Sequence, residues 1–195
     1  NGEFGASSNF TFDGSKLSIT GSTVANGYIS SSHIIPLSDG TYDLGEVDNK
    51  YENIYGNFYD GAVSFTAINN EGAQITRGQA VYIDGVSGNT PTIALASADD
   101  PSKMPAMGLV ADGTANDGTE VRIVTFGSLR GMDTDGFSEG DTLYIQTGSS
   151  GVSGSLTNTP PTGSGALIQN IGRVLRVDAS AGPVKVGVAG RTNAT

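Results

Sequence analysis

The chain has 195 residues, 20 of them acidic and 10 basic, for a net charge of −10. The basic residues are scattered, which argues against a nucleic-acid partner, because phosphate binding needs clustered Lys and Arg. There is no Cys, so disulfides, thiolate metal sites and cysteine nucleophiles are excluded, and no apolar run approaches the roughly 20 residues of a membrane span, so membrane insertion is not expected.

Gly and Pro interrupt the chain so often that the longest stretches free of both, Glu46–Tyr55 and Ala62–Glu71, leave no room for long helices. Between the breaks lie short β-branched or alternating segments. In chain order these are FTF at Phe10–Phe12, KLSIT at Lys16–Thr20, AVYID at Ala80–Asp84, EVRIVTF at Glu120–Phe126, DTLYIQT at Asp141–Thr147, GRVLRV at Gly172–Val177 and VKVGVAG at Val184–Gly190. Each is bounded by turn chemistry such as DG, NG, SG or GP. The expectation is an all-β chain in two parts. Residues 1–70 form a short-strand segment rich in Ser, Asn and aromatic residues, and residues 71–195 form a compact β-sandwich or barrel-like domain. The chain begins at Asn1 without an initiator Met, which fits a mature or excerpted piece.

The second part carries an internal echo. GQAVYIDGVSG from Gly78 and GDTLYIQTGSSG from Gly140 share a pattern, and each is followed by a Gly-led apolar stretch, GLVADG at Gly108 or GRVLRV at Gly172, and then by a further strand. Two copies suggest a duplicated β-unit rather than a solenoid, which needs at least three.

Catalytic and ligand chemistry finds little purchase. The sole His, His33, follows Ser30, Ser31 and Ser32, but neighbours on an extended strand point to opposite faces and do not align a nucleophile with its base. Of the 14 Asp, Asp13, Asp39, Asp60, Asp84, Asp112, Asp117 and Asp135 precede Gly, a turn signature rather than a pair of glycosidase carboxylates. In DTDGFSEGD the carboxylates of Asp133, Asp135, Glu139 and Asp141 offer calcium-type ligands in one loop, but the spacing departs from an EF-hand and a solvated hairpin is expected. The glycines of SGVSGS, Ser150–Ser155, have no helix after them to make a phosphate loop. The sequons at Asn9 and Asn193 are patterns that chance supplies often. No catalytic residue, cofactor or metal is assigned, and a non-enzymatic protein is expected.

The segment TYDLGEVDNKYENIYGNFYDGAV, Thr41–Val63, stands apart, with four of the seven tyrosines in the chain, Tyr42, Tyr51, Tyr55 and Tyr59, together with Phe58. It resembles a segment common in bacteriophage tail fibres and related virion fibres, those of cyanophages above all, through Tyr42, Asp43, Leu44, Gly45, Lys50, Tyr51, Ile54 and Tyr55. Tyr51 stands where that pattern usually has Trp, a departure that keeps the ring. The flanking sequence resembles the shafts and β-rich modules of the same class. The resemblance implies a homotrimer located in the virion or extracellularly, with other virion proteins and a host-surface glycan as partners. Its function would be virion architecture and host attachment. A subunit of an extracellular filament, a capsid decoration protein and a glycan-cleaving tailspike remain alternatives. A thin shaft has little interior per chain, whereas copies around an axis can bury aromatics against one another. The expected oligomer interface is therefore Tyr42, Leu44, Tyr51, Ile54, Tyr55, Phe58 and Tyr59, the alternative being that these rings pack within their own chain.

Overall fold

A computed structural model describes residues 61–148 and 153–187 in full, the backbone of 10–12 and 17–19, and residues 48 and 52. The chain divides into two compact units, Asn1–Tyr55 and Gly56–Thr195. In the first, β1 (Phe10–Phe12) and β2 (Leu17–Ile19) pair antiparallel with Phe10 opposite Ile19. The two segments coincide with FTF and with the centre of KLSIT.

The second unit is almost entirely β. Its strands are β3 (Ala62–Asn69), β4 (Ile75–Thr76), β5 (Ala80–Ser87), β6 (Thr90–Leu95), β7 (Gly108–Val110), β8 (Thr114–Ala115), β9 (Glu120–Met132), β10 (Thr142–Ile145), β11 (Leu156–Thr157), β12 (Asn170–Val174) and β13 (Gly182–Val186). The one helical element described is a single 3-10 turn, Pro101–Lys103, with Asp100 at its N-cap accepting from the Ser102 N–H. No helix among the described residues is long and apolar enough to cross a membrane.

Nine strands form one sheet in the order β11-β10-β12-β13-β9-β3-β6-β5-β7, and an added β9–β7 pairing closes β9, β3, β6, β5 and β7 into a five-stranded ring. All its ladders are antiparallel except the short β3–β6 pairing. The barrel-like expectation is met by this ring, and β13, β12, β10 and β11 extend the sheet from β9. β3 lies N-terminal of residue 70, in the stretch assigned from sequence to the fibre segment, yet it runs beside β9 from Ala62 to Ile68 as part of this sheet. Its exposed Val63, Ser64 and Thr66 blur the alternation that marks a half-buried strand.

Two cores follow from side-chain alternation. Ala67, Val81, Ile93, Leu95, Val110, Val121 and Ile123 fill one, joined by Ile75 and Ala115 from the β4–β8 pair. Their sequence neighbours Ala80, Ala96, Leu109, Ala111 and Val124 point the other way, into a second core with Leu129, Met132, Leu143, Ile145, Ile171, Val174, Val184 and Val186. Strands buried on both faces read as continuous apolar runs. In the second core the small side chains of Ala80, Ala96 and Ala111 accompany the larger aliphatics of β9, β10, β12 and β13. Gln169, almost fully buried, donates to the Ala106 carbonyl and accepts from its N–H, both at 2.8 Å, standing in for one rung of a ladder.

The two echo segments adopt the same arrangement. β5 pairs with β7 and β7 with β9, as β10 pairs with β12 and β12 with β13, all antiparallel. The Gly78 N–H donates to the Val110 carbonyl and the Gly140 N–H to that of Val174, each at 2.9 Å. The Gln79 side chain accepts from the Thr76 N–H and the Asp141 side chain from that of Ser138. A glycine occupies each middle strand because a Cβ on Gly108 would run into the Val124 carbonyl, and one on Gly172 into the Lys185 carbonyl. Gly108→Ala and Gly172→Ala are each expected to cost about 1–3 kcal/mol through backbone displacement. Gly136→Ala, with open space around it, is expected to stay within about 0.5 kcal/mol. Chemical denaturation of the three variants measures the difference.

Candidate functional site

The aromatic residues expected at an oligomer interface, Tyr42, Leu44, Tyr51, Ile54, Tyr55, Phe58 and Tyr59, lie outside the described residues. So do His33 with its three serines, the Asp-Gly turns at Asp13, Asp39 and Asp60, and both sequon asparagines.

Several of the carboxylates that can be placed are occupied with local structure. Asp84 accepts from the Asn70 amide at 2.7 Å, Asp117 from the Gly72 N–H at 2.8 Å, and Asp112 from the Arg122 N–H at 2.8 Å while pairing with its guanidinium at 3.1 Å. In the loop from 133 to 141, Asp133 accepts from the Asp135 N–H at 3.0 Å, and Asp141 accepts from the Ser138 N–H at 2.9 Å and the Asn158 amide at 2.7 Å. This loop connects β9 to β10, which do not pair, so it is a crossover and not the hairpin expected from its composition. It is pinned by buried Thr134, whose hydroxyl lies within hydrogen-bonding distance of the Arg176 and Asp178 carbonyls and accepts from the Asp178 N–H. Among the described residues no three His, Cys, Asp or Glu side chains come together as a metal site. In the glycine-rich stretch, Gly154 is buried, its carbonyl accepting from Ala80 and its N–H donating to Ala96. That glycine splices a loop onto the ring.

A shallow groove of about 190 Å³ runs between Gln146, Thr147, Thr157, Thr159, Pro160, Pro161 and Thr162. It offers neutral hydroxyl and amide groups, contains no charge, and is smaller than the roughly 300 Å³ at which small-molecule sites begin.

More distinctive is an apolar face where the chain enters β3. Val63, 62% exposed, lies directly opposite Phe126, 54% exposed, and the Lys185 ammonium sits 4.3 Å from the centre of the Phe126 ring. Among the described residues β3 also has an uncovered edge. The carbonyls of Gly61 and Val63 turn toward β9, accepting from the Ser128 N–H and the Thr125 hydroxyl. Alternation sends the backbone groups of Ala62, Ser64 and Thr66 to the other side. There β6 pairs only with Ile68 and Asn69, and no other described strand is paired. Sequence reasoning missed this face because exposed apolar residues on a strand look like core residues until the register is known.

Compared with known proteins, the chain matches no protein-family model and no curated protein sequence.

Titration follows the same turns. The Asp141 carboxyl is held below its ordinary range by the Asn158 amide and then by the Ser138 N–H, Asp100 by the Ser102 hydroxyl and N–H, and Asp178 by the N–H groups of Ser180 and Ala181. Burial, followed by nearby Asp84, raises Tyr82. For a carboxyl lowered on folding, the stabilisation is complete above the unfolded-state value. It is lost as pH falls through the folded-state value, because the unfolded chain takes up the proton first. Stability is therefore expected to decline below the ordinary carboxylate range, and Asp141→Asn to flatten that decline. Melting temperatures of both proteins across the acid range check this, and parallel slopes would refute it.

Proposed function

We propose that this chain is a non-enzymatic structural component of a bacteriophage fibre, most simply a tail fibre, that assembles as a homotrimer. It contributes to virion architecture and host-surface attachment. The observation that carries this reading is the segment Thr41–Val63, whose Tyr42, Asp43, Leu44, Gly45, Lys50, Tyr51, Ile54 and Tyr55 resemble the aromatic motif of virion fibres. Tyrosine suits a thin symmetric bundle because its ring packs against neighbouring copies while its hydroxyl reaches water or a polar partner.

An all-β domain attached to such a segment fits this role. Several of its described carboxylates serve turns, and the groove lined by Gln146, Thr147 and Pro160 is neutral and small, which suits a weak contact to a polar surface group such as a sugar hydroxyl. Several weak contacts displayed on one particle add up through effective concentration, without a strong single site.

A second reading, a subunit of an extracellular filament or a capsid decoration protein, is favoured by the uncovered edge of β3, since strand edges template further pairing. Sedimentation velocity of the full chain over a wide concentration range separates the two. A fixed, elongated trimer is expected, growth with concentration would move the assignment to the filament, and a compact monomer would overturn both. Replacing Tyr51 and Tyr55 together by Ala is expected to dissociate the trimer, and an unchanged oligomer would remove the aromatic segment from the interface.

A further inference from the structure

We propose that the Val63–Phe126 face, together with the open edge of β3, is the surface through which the β-domain of one copy packs on a second copy. This rests on the trimeric reading and extends it from the aromatic segment into the folded domain.

Four observations point to that occupant. First, no charged residue occurs from Ala62 to Asn69, in a chain whose net charge is −10. Exposed edges are ordinarily guarded by charge, proline or a covering loop. The edge strand β11, at one end of the sheet, is followed by Pro160 and Pro161. Among the described residues none guards β3 in this way over Ala62–Thr66. Second, large apolar side chains flank that edge, with Val63 and Phe126 more than half exposed on directly paired residues. Third, the Lys185 ammonium rests on the Phe126 ring, so its charge is met within its own chain and its stem adds apolar surface.

The fourth observation selects a second copy over an unrelated protein. Val63 follows Tyr59, the last residue of the aromatic segment, by four residues, a stretch of backbone that spans at most about 14 Å. When those segments associate around a three-fold axis, the β3 strands of the copies are held close together, and contact between their Val63–Phe126 faces becomes effectively intramolecular. An uncharged edge then meets its copies without like-charge repulsion.

The chain has no Cys, so Val63→Cys introduces a sole thiol. The experiment oxidises the full-length Val63→Cys protein and analyses it on a non-reducing gel. Val86→Cys serves as the control, placed near the β5–β6 turn on a side chain that is 69% exposed. Covalent dimers are expected from Val63→Cys, in a yield that does not fall on dilution, with little or none from Val86→Cys. Phe126→Asp, which leaves both cores untouched, is expected to weaken association roughly tenfold or more.

Absence of the covalent dimer in a protein that sediments as a trimer would overturn this inference alone. Fast maleimide labelling of Val63→Cys would then give the face to another protein, and slow labelling would give it to residues of the same chain. Equal cross-linking at both positions would mean random collision and would also overturn it. A monomeric wild-type chain would instead overturn the trimeric reading on which it rests.

Discussion

The two cores depend on a single strand. β9 runs for thirteen residues, and its side chains alternate between the two interiors, Val121 and Ile123 on one side and Val124 and Leu129 on the other. Its edges are as heavily used as its faces. β3 lies along one edge, and β7 and then β13 lie along the other, so Gly127 is opposite both Ala62 and Val186. Gly127 must be glycine there. Its φ of +111° suits no L side chain, and a Cβ would collide with the Gly61 carbonyl. A strand in this position can tolerate little change, because any shift that relieves one core strains the other.

From that constraint the distribution of the remaining chemistry follows. Several polar side chains in and beside the connections satisfy backbone groups. Asn69, fully buried, donates to the Ala73 and Ala115 carbonyls and accepts from the Glu71 N–H, and Glu71 in turn accepts from the Leu95 N–H. No buried side-chain polar atom described lacks a partner. Carboxylates committed to turns in this way are poor general acids and poor metal ligands, since their lone pairs are already directed at N–H groups. What the described surface offers to other molecules includes a neutral groove, a strand edge that no described strand covers, and exposed apolar side chains such as Val63 and Phe126.

Much of the fold was legible because strands were separated by strong turn signals. Segments such as AVYID, EVRIVTF and DTLYIQT fall on β5, β9 and β10, and the echo from Gly78 and Gly140 fell on two turns with the same hydrogen bonds. Six strands escaped: β4, β8 and β11 are only two residues long, and the other three escaped for separate reasons. In β3 the exposed residues broke the alternation. In β6 Pro91 spoke against a strand, but it sits opposite Val86 near the turn, at the end of the ladder. β7 is only three residues long. Closure of the ring could not be read locally, since it depends on Leu109 and Val110 finding Val124 and Ile123. The aromatic segment, the most informative in sequence, carries a family resemblance rather than a geometry, and its residues lie outside those described.

The neighbours of Gly127 also determine how such a domain can be carried by a longer polymer. Ala62, where the chain joins the sheet, and Val186, where the last strand ends, flank one residue of one strand. They are therefore about 10 Å apart, two strand spacings. A unit whose ends meet in this way adds almost nothing to the contour of the chain that bears it. A unit with ends this close is of the kind that insertion into another chain tolerates.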